Sequence, residues 1–83
     1  MIKVLTCKPL EAFRLVLTFS SGETGVFDAT AYLSEKQGPL LEPLKSAAYF
    51  QNCFIDAGAL CWPNGLELSA QRVLELITVF EVH

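Results

Sequence analysis

The chain carries little charge, few cysteines, a single histidine and no long apolar run, and each shortage excludes something. Its apolar stretches extend only a few residues, far short of the ~18 that a bilayer-spanning helix needs. The opening Met1-Ile2-Lys3-Val4-Leu5 meets Lys8, Glu11 and Arg14 too soon to hold the apolar segment of a signal peptide. The expected setting is the cytoplasm, with no membrane contact. The six basic residues (Lys3, Lys8, Arg14, Lys36, Lys45 and Arg72) are scattered among nine acidic ones, for a net charge of −3. A nucleic-acid surface gathers basic residues to displace counterions from phosphates. Their dispersal argues against direct DNA or RNA binding.

The cysteines Cys7, Cys53 and Cys61 are odd in number and lack CxxC spacing. A secreted disulfide framework would show an even set, so in a reducing cytosol these are expected to be small buried hydrophobes. Cys53, Cys61 and His83 make a poor zinc set, because zinc sites favour paired ligands at tight spacing. No metal or cofactor is expected. Nucleophilic catalysis wants Ser or Cys beside His, and the only histidine is the last residue. Neither a P-loop nor GxGxxG occurs, and Gly22 and Gly25 are too isolated to cradle a phosphate. Asp28, Asp56 and Glu67 are the carboxylates an acid–base pair would draw on, but each falls at a strand end or turn, where acidic residues normally face water. For Asp28, capping a turn or helix start is the commoner role. The residues predict a non-catalytic protein.

What is present is apolar. Of 83 residues, 52% are hydrophobic and only 18% charged, with a mean hydropathy of +0.39. Residues 1–83 make one domain, and a chain this short buries little more than ~60% of the surface its unfolded form exposes. Apolar surface beyond what one small core hides usually meets another protein or a second copy of the same chain. A protein partner is expected, and a homodimer is one form of it.

Periodicity gives the elements. Residues 2–7 are β-branched and apolar and read as a strand ended by Pro9. Residues 12–19 alternate, with Phe13, Leu15, Leu17 and Phe19 on one face and Ala12, Arg14, Val16 and Thr18 on the other. Residues 20–23 supply a turn in which Gly22 can take positive φ, and 24–29 resume as a strand, making a hairpin. Residues 31–33 read as a single turn. A short helix is expected after Pro43, a favourable first helical residue, with Leu44, Ala47, Ala48 and Phe50 inward. Residues 54–57 and 59–62 read as strands around Gly58. Ser69 reads as a helix N-cap, with Val73, Leu74, Leu76, Ile77 and Phe80 on the helix's apolar face. The β-branched run 77–79 also allows 78–82 to be extended. The predicted class is α+β: a small antiparallel or mixed sheet of about five strands with two helices, in the order β-β-β-α-β-β-α.

The segment Trp62-Pro63-Asn64-Gly65 holds the only tryptophan and admits two readings. In one it is a folding device: Pro63 presets the first corner, Asn64-Gly65 accepts left-handed geometry, and the ring adds a large apolar payload to a small core. In the other, Trp62, Asn64 and Glu67 face a partner near the start of the last helix, since tryptophan is enriched at binding hot spots. The mixed face of the second strand, with Arg14 and Val16, is a further contact candidate. If that strand or the first lies at a sheet edge, its free backbone groups can pair with a partner strand.

An opening strand, then Leu15-x-Leu17-x-Phe19-x-x-Gly22-Glu23, Phe27-Asp28, Phe50 and Trp62-Pro63-Asn64-Gly65-Leu66-Glu67-Leu68-Ser69, resembles the small bacterial family catalogued as domain of unknown function 2442. The likeness covers nearly the whole chain. Its most specific part is the WPNG segment with the acidic residue after it, where Glu67 stands in place of the family's common Asp. The resemblance implies a compact α+β domain. Some relatives add a DNA-binding helix-turn-helix, and genes of relatives often lie beside a second small gene in a toxin–antitoxin-like arrangement. Ending at His83, this chain is expected to need a partner to touch DNA. The function expected is a protein-interaction domain, antitoxin-like or regulatory, that acts by occluding its partner; the alternative is a small-molecule sensor with a pocket near Trp62.

Overall fold

The computed structural model describes residues 1–80. Among these the chain forms strands β1 (Val4–Pro9), β2 (Arg14–Phe19) and β3 (Thr24–Asp28), helix α1 (Thr30–Glu35), a 3-10 turn (Pro43–Lys45) and helix α2 (Ala47–Phe50). Strands β4 (Phe54–Asp56), β5 (Ala59–Cys61) and β6 (Glu67–Leu68), helix α3 (Ala70–Leu76) and strand β7 (Thr78–Phe80) follow. The strands form two antiparallel sheets, one of four strands in the order β1-β2-β3-β7 and one of three in the order β4-β5-β6. The class is α+β, as the residue pattern predicts, but the described residues form seven strands in two sheets and three helices where that pattern predicts a single sheet of about five strands with two helices.

Alternation sets the faces of the larger sheet. Leu15, Leu17 and Phe19 of β2 and Phe27 of β3 are buried, and cross-strand pairing aligns Leu15 with Phe27. Arg14, Val16 and Thr18 pair with Asp28, Val26 and Thr24 on the opposite face, where Arg14, Val16, Thr18, Thr24 and Val26 are half-buried and Asp28 is exposed. The smaller sheet contributes Leu60 and Leu68 to the same core, which Leu44, Phe50, Trp62 and Val73 complete. The sheets meet where the edge strand β1 borders β4: Val4 N donates to Gly58 O at 2.8 Å.

Of the four hairpin connections among the described residues, three have tight loops of two or three residues. Gly22 N donates to Phe19 O and Phe19 N to Glu23 O, each at 2.9 Å. The loop between β5 and β6 repeats this pattern, with Gly65 N donating to Trp62 O at 3.1 Å and Trp62 N to Leu66 O at 3.0 Å. Both are three-residue loops whose third residue is left-handed, Gly22 at φ +93° and Gly65 at φ +95°. Each follows a buried aromatic, Phe19 or Trp62. The segments FSSG and WPNG are therefore two copies of one construction. The third connection, Ala57-Gly58 between β4 and β5, places both residues at positive φ, +52° and +80°, the pattern of a two-residue type I′ hairpin. Alanine is strained there, whereas asparagine tolerates it. Ala57→Asn is expected to raise stability by about 0.5–1 kcal/mol, read as a higher urea midpoint at unchanged slope.

Several elements differ from the sequence expectation. The first strand runs Val4–Pro9 and includes the proline as its last residue, which an edge strand tolerates because no neighbour needs the missing N–H. The turn expected at 31–33 is a helix of six residues. The helix after Pro43 is broken at Ser46, which adopts extended geometry and starts α2. Leu44 and Phe50 point inward as expected, Ala47 is half-buried and Ala48 is exposed. β6 has two residues, too few for alternation to announce it. Ser69 caps α3, its Oγ accepting from Arg72 N at 3.1 Å, and Val73 is the helix's fully buried residue. The helix ends at Leu76, and Thr78–Phe80 pairs with β3, in line with the β-branched run. The expected extension over 81–82 lies outside the described residues.

Candidate functional site

Trp62 directly follows β5, with its side chain inside the protein, only 1% exposed. Its indole Nε1 donates to the Phe50 carbonyl at 2.8 Å, and its ring packs on Phe50 at a centroid separation of 5.6 Å. Phe50 in turn takes Phe13 edge-on, also at 5.6 Å. Buried indoles normally find such a partner for the N–H. With ring and N–H both committed inside, Trp62 is core and presents no face to a partner.

Asn64 is also engaged within the fold. Its Nδ2 donates to Leu40 O at 2.8 Å, and its Oδ1 accepts from Leu66 N at 3.3 Å. It ties the loop before Pro43 to the β5–β6 hairpin. Only Gly65 uses left-handed geometry in this loop, so Asn64 acts through its side chain, as an Asx-type turn residue.

Glu67 lies elsewhere. Cross-strand pairing sets Phe54, Cys61 and Glu67 in one row across β4, β5 and β6, on the face opposite Ile55, Leu60 and Leu68. Phe54 is 44% exposed, and Asp56 and Glu67 are exposed. With Pro63 and Leu66 they border a shallow depression of about 220 Å³ floored by Cys61. Burial raises the Cys61 thiol above its ordinary pKa, and the Glu67 and Asp56 carboxylates push it further the same way. The surroundings keep this thiol protonated, unlike the electropositive settings that activate a nucleophilic cysteine.

Arg14 and Val16 lie in β2, which is interior to the larger sheet, so the edge position is held by β1 instead. Arg14 Nη1 pairs with Glu11 Oε1 at 3.2 Å on the surface. Asp28, across from Arg14, accepts from Thr30 N at 3.0 Å. Hydrogen bonds from Thr30 hold its carboxyl below the usual aspartate value, the capping role the sequence favours. The structure thus separates the five predicted contact residues: Arg14 and Val16 on the outer face of one sheet, Glu67 on the other, Trp62 and Asn64 turned into the fold.

Sequence reasoning missed Phe54. Its signal was available: in Phe54-Ile55-Asp56 an inward Ile55 forces Phe54 onto the face of Asp56. Among the described residues no group of three or more His, Cys, Asp or Glu could hold a metal ion, and no helix is long and apolar enough to cross a membrane.

These features define a class: a small α+β domain of two antiparallel sheets sharing one core, with an apolar-acidic patch on the smaller sheet. The chain belongs to the family described as Protein of unknown function (DUF2442), whose model matches residues 4–78, from the start of β1 to the first residue of β7. No curated protein and no solved structure matches it.

Proposed function

We propose that this is a non-catalytic, cytoplasmic protein-interaction domain whose contact surface is the outer face of β4, β5 and β6. The observation that carries the reading is Phe54, a large ring 44% exposed on a regular strand, with Asp56 and Glu67 exposed on the same face. A ring beside two carboxylates suits a partner segment that pairs an apolar side chain with Lys or Arg, since such interfaces combine an aromatic anchor with a charged rim. The role we assign is antitoxin-like or regulatory: the domain covers a basic, functional surface of a second small protein. The net charge of −3 suits such a basic surface, and the family resemblance implies the same pairing with a second small protein.

The sensor alternative has less support. The depression beside Trp62 is about 220 Å³, below the ~300–1,000 Å³ typical of small-molecule sites, and the indole itself is buried.

The test is a pull-down from native lysate with wild type, Phe54→Ser and Glu67→Lys. Both variants are expected to melt like wild type. Phe54→Ser should weaken capture of a stoichiometric small basic protein by ~30-fold, the scale of a 2 kcal/mol hot spot, and Glu67→Lys should weaken it in a salt-dependent way. Undiminished capture by both variants, or an empty wild-type pull-down, would overturn the assignment. Recovery of a second copy alone would replace it with a homodimer.

A further inference from the structure

The cysteines are far apart in sequence, yet two of them touch. Cys7 in β1 and Cys53, just before β4, lie 46 positions apart with their Sγ atoms at 3.5 Å. That is van der Waals contact for two sulfurs, and closing to the ~2.05 Å of a disulfide requires an approach of only ~1.5 Å. Cys7 belongs to an edge strand, and Cys53 occupies an irregular residue between α2 and β4, so neither is locked at the centre of a sheet. Both side chains are half-buried, whereas Cys61 is buried with its thiol directed to Ala59 O at 3.7 Å. The three thiols are thus divided into a reachable pair and a sequestered single one.

We propose that Cys7 and Cys53 are a redox modification site: a small-molecule disulfide such as oxidised glutathione converts them into an intramolecular disulfide that ties the edge of the four-stranded sheet to the three-stranded sheet. One thiol of the pair loses its proton to solvent, and the thiolate attacks a sulfur of the reagent. A mixed disulfide forms and one small-molecule thiolate leaves. The second protein thiol, deprotonated in turn, displaces the other small-molecule thiolate and forms the Cys7–Cys53 bond. The protein loses two electrons and two protons, and one reagent disulfide becomes two thiols.

The environment sets the character of the exchange. Burial pushes the Cys53 thiol up to about 12, and the neighbouring Cys7 adds to the rise. Thiolate is the attacking species, so the reaction is slow at neutral pH and accelerates as pH rises. Cys53 gains no thiolate stabilisation in the reduced protein, and a disulfide made from such a thiol resists reduction. The product suits a durable lock better than a rapid sensor. Bridging residues so distant restricts the unfolded chain, and the oxidised protein is expected to melt higher by on the order of 10 °C.

The experiment treats the intact protein and its Cys61→Ser variant with oxidised glutathione at mildly alkaline pH. The free thiols of wild type should fall from three to one. The mass should drop by two hydrogens, digestion should yield a peptide joining Cys7 to Cys53, and a strong reductant should reverse the change and the gain in Tm. The variant should form the same bridge. Persistence of all three thiols, stable glutathione adducts without an internal bridge, a bridge through Cys61, or a covalent dimer would each overturn the proposal. The wild-type peptide map decides the matter even if the variant fails to fold.

Discussion

Trp62→Ala is expected to abolish the cooperative thermal transition of this domain. Removing a buried large aromatic typically costs about 3–5 kcal/mol. The Phe50 carbonyl, which accepts from the indole at 2.8 Å, is left without its partner, at a further ~1–3 kcal/mol. A chain of 83 residues has a total stability on the order of 4–12 kcal/mol, so one substitution removes much or all of it. Circular dichroism on heating checks this. Trp62→Phe keeps most of the ring and loses the N–H, and is expected to fold with a lowered midpoint. A Trp62→Ala protein melting within a few degrees of wild type would contradict the core assignment and return the ring to the surface.

Gly58→Val should destabilise by about 2–4 kcal/mol. Gly58 sits at φ +80°, which costs an L side chain roughly 1–2 kcal/mol and a β-branched one more. The space is filled as well: a Cβ there would lie 2.8 Å from Lys3 Cγ and 2.9 Å from Lys3 Cβ, and overpacking adds about 1–3 kcal/mol. The consequence exceeds one turn, because Gly58 O receives the Val4 amide that joins the two sheets. Urea denaturation gives the loss. Repeating it in a Lys3→Gly background removes the clash and leaves the backbone strain, so part of the loss should return. Full recovery would show that the left-handed geometry is unimportant, and no recovery that Lys3 is not the obstacle.

The apolar-acidic patch and the thiol pair share a structural origin. Both depend on β4, a strand of three residues whose outer face carries Phe54 and whose entry carries Cys53. The Cys7–Cys53 bond would fix β4 against β1, whereas Phe54→Ser tests the outer face without touching either sulfur. The two experiments therefore report separately on the contact surface and on the modification.

Local features were legible from the residues alone. Alternation over residues 12–19 identified β2 and its faces because a half-buried strand must alternate, although the strand itself starts at Arg14 and residues 12–13 belong to the turn before it. The Ser69 cap and the Gly22 and Gly65 loop positions were legible for a similar reason, since each is decided within four residues by one side-chain oxygen or one tolerance for positive φ. The likeness of FSSG to WPNG lay in the sequence too, though it became apparent only through the shared hydrogen-bond pattern.

Tertiary structure decided the rest. Whether Trp62 was core or contact could not be read locally, because the area and N–H that make tryptophan a good interface anchor also make it a good core residue; the Phe50 carbonyl, twelve residues away, settled it. Asn64 was assigned to the fold by Leu40, 24 positions distant. The division into two sheets followed from β1 meeting Gly58 across more than fifty residues, and the meeting of Cys7 with Cys53 followed from the same border. Periodicity states which face of an element is apolar. It does not state which other face will cover it, and at each of these positions that pairing determined the residue's role.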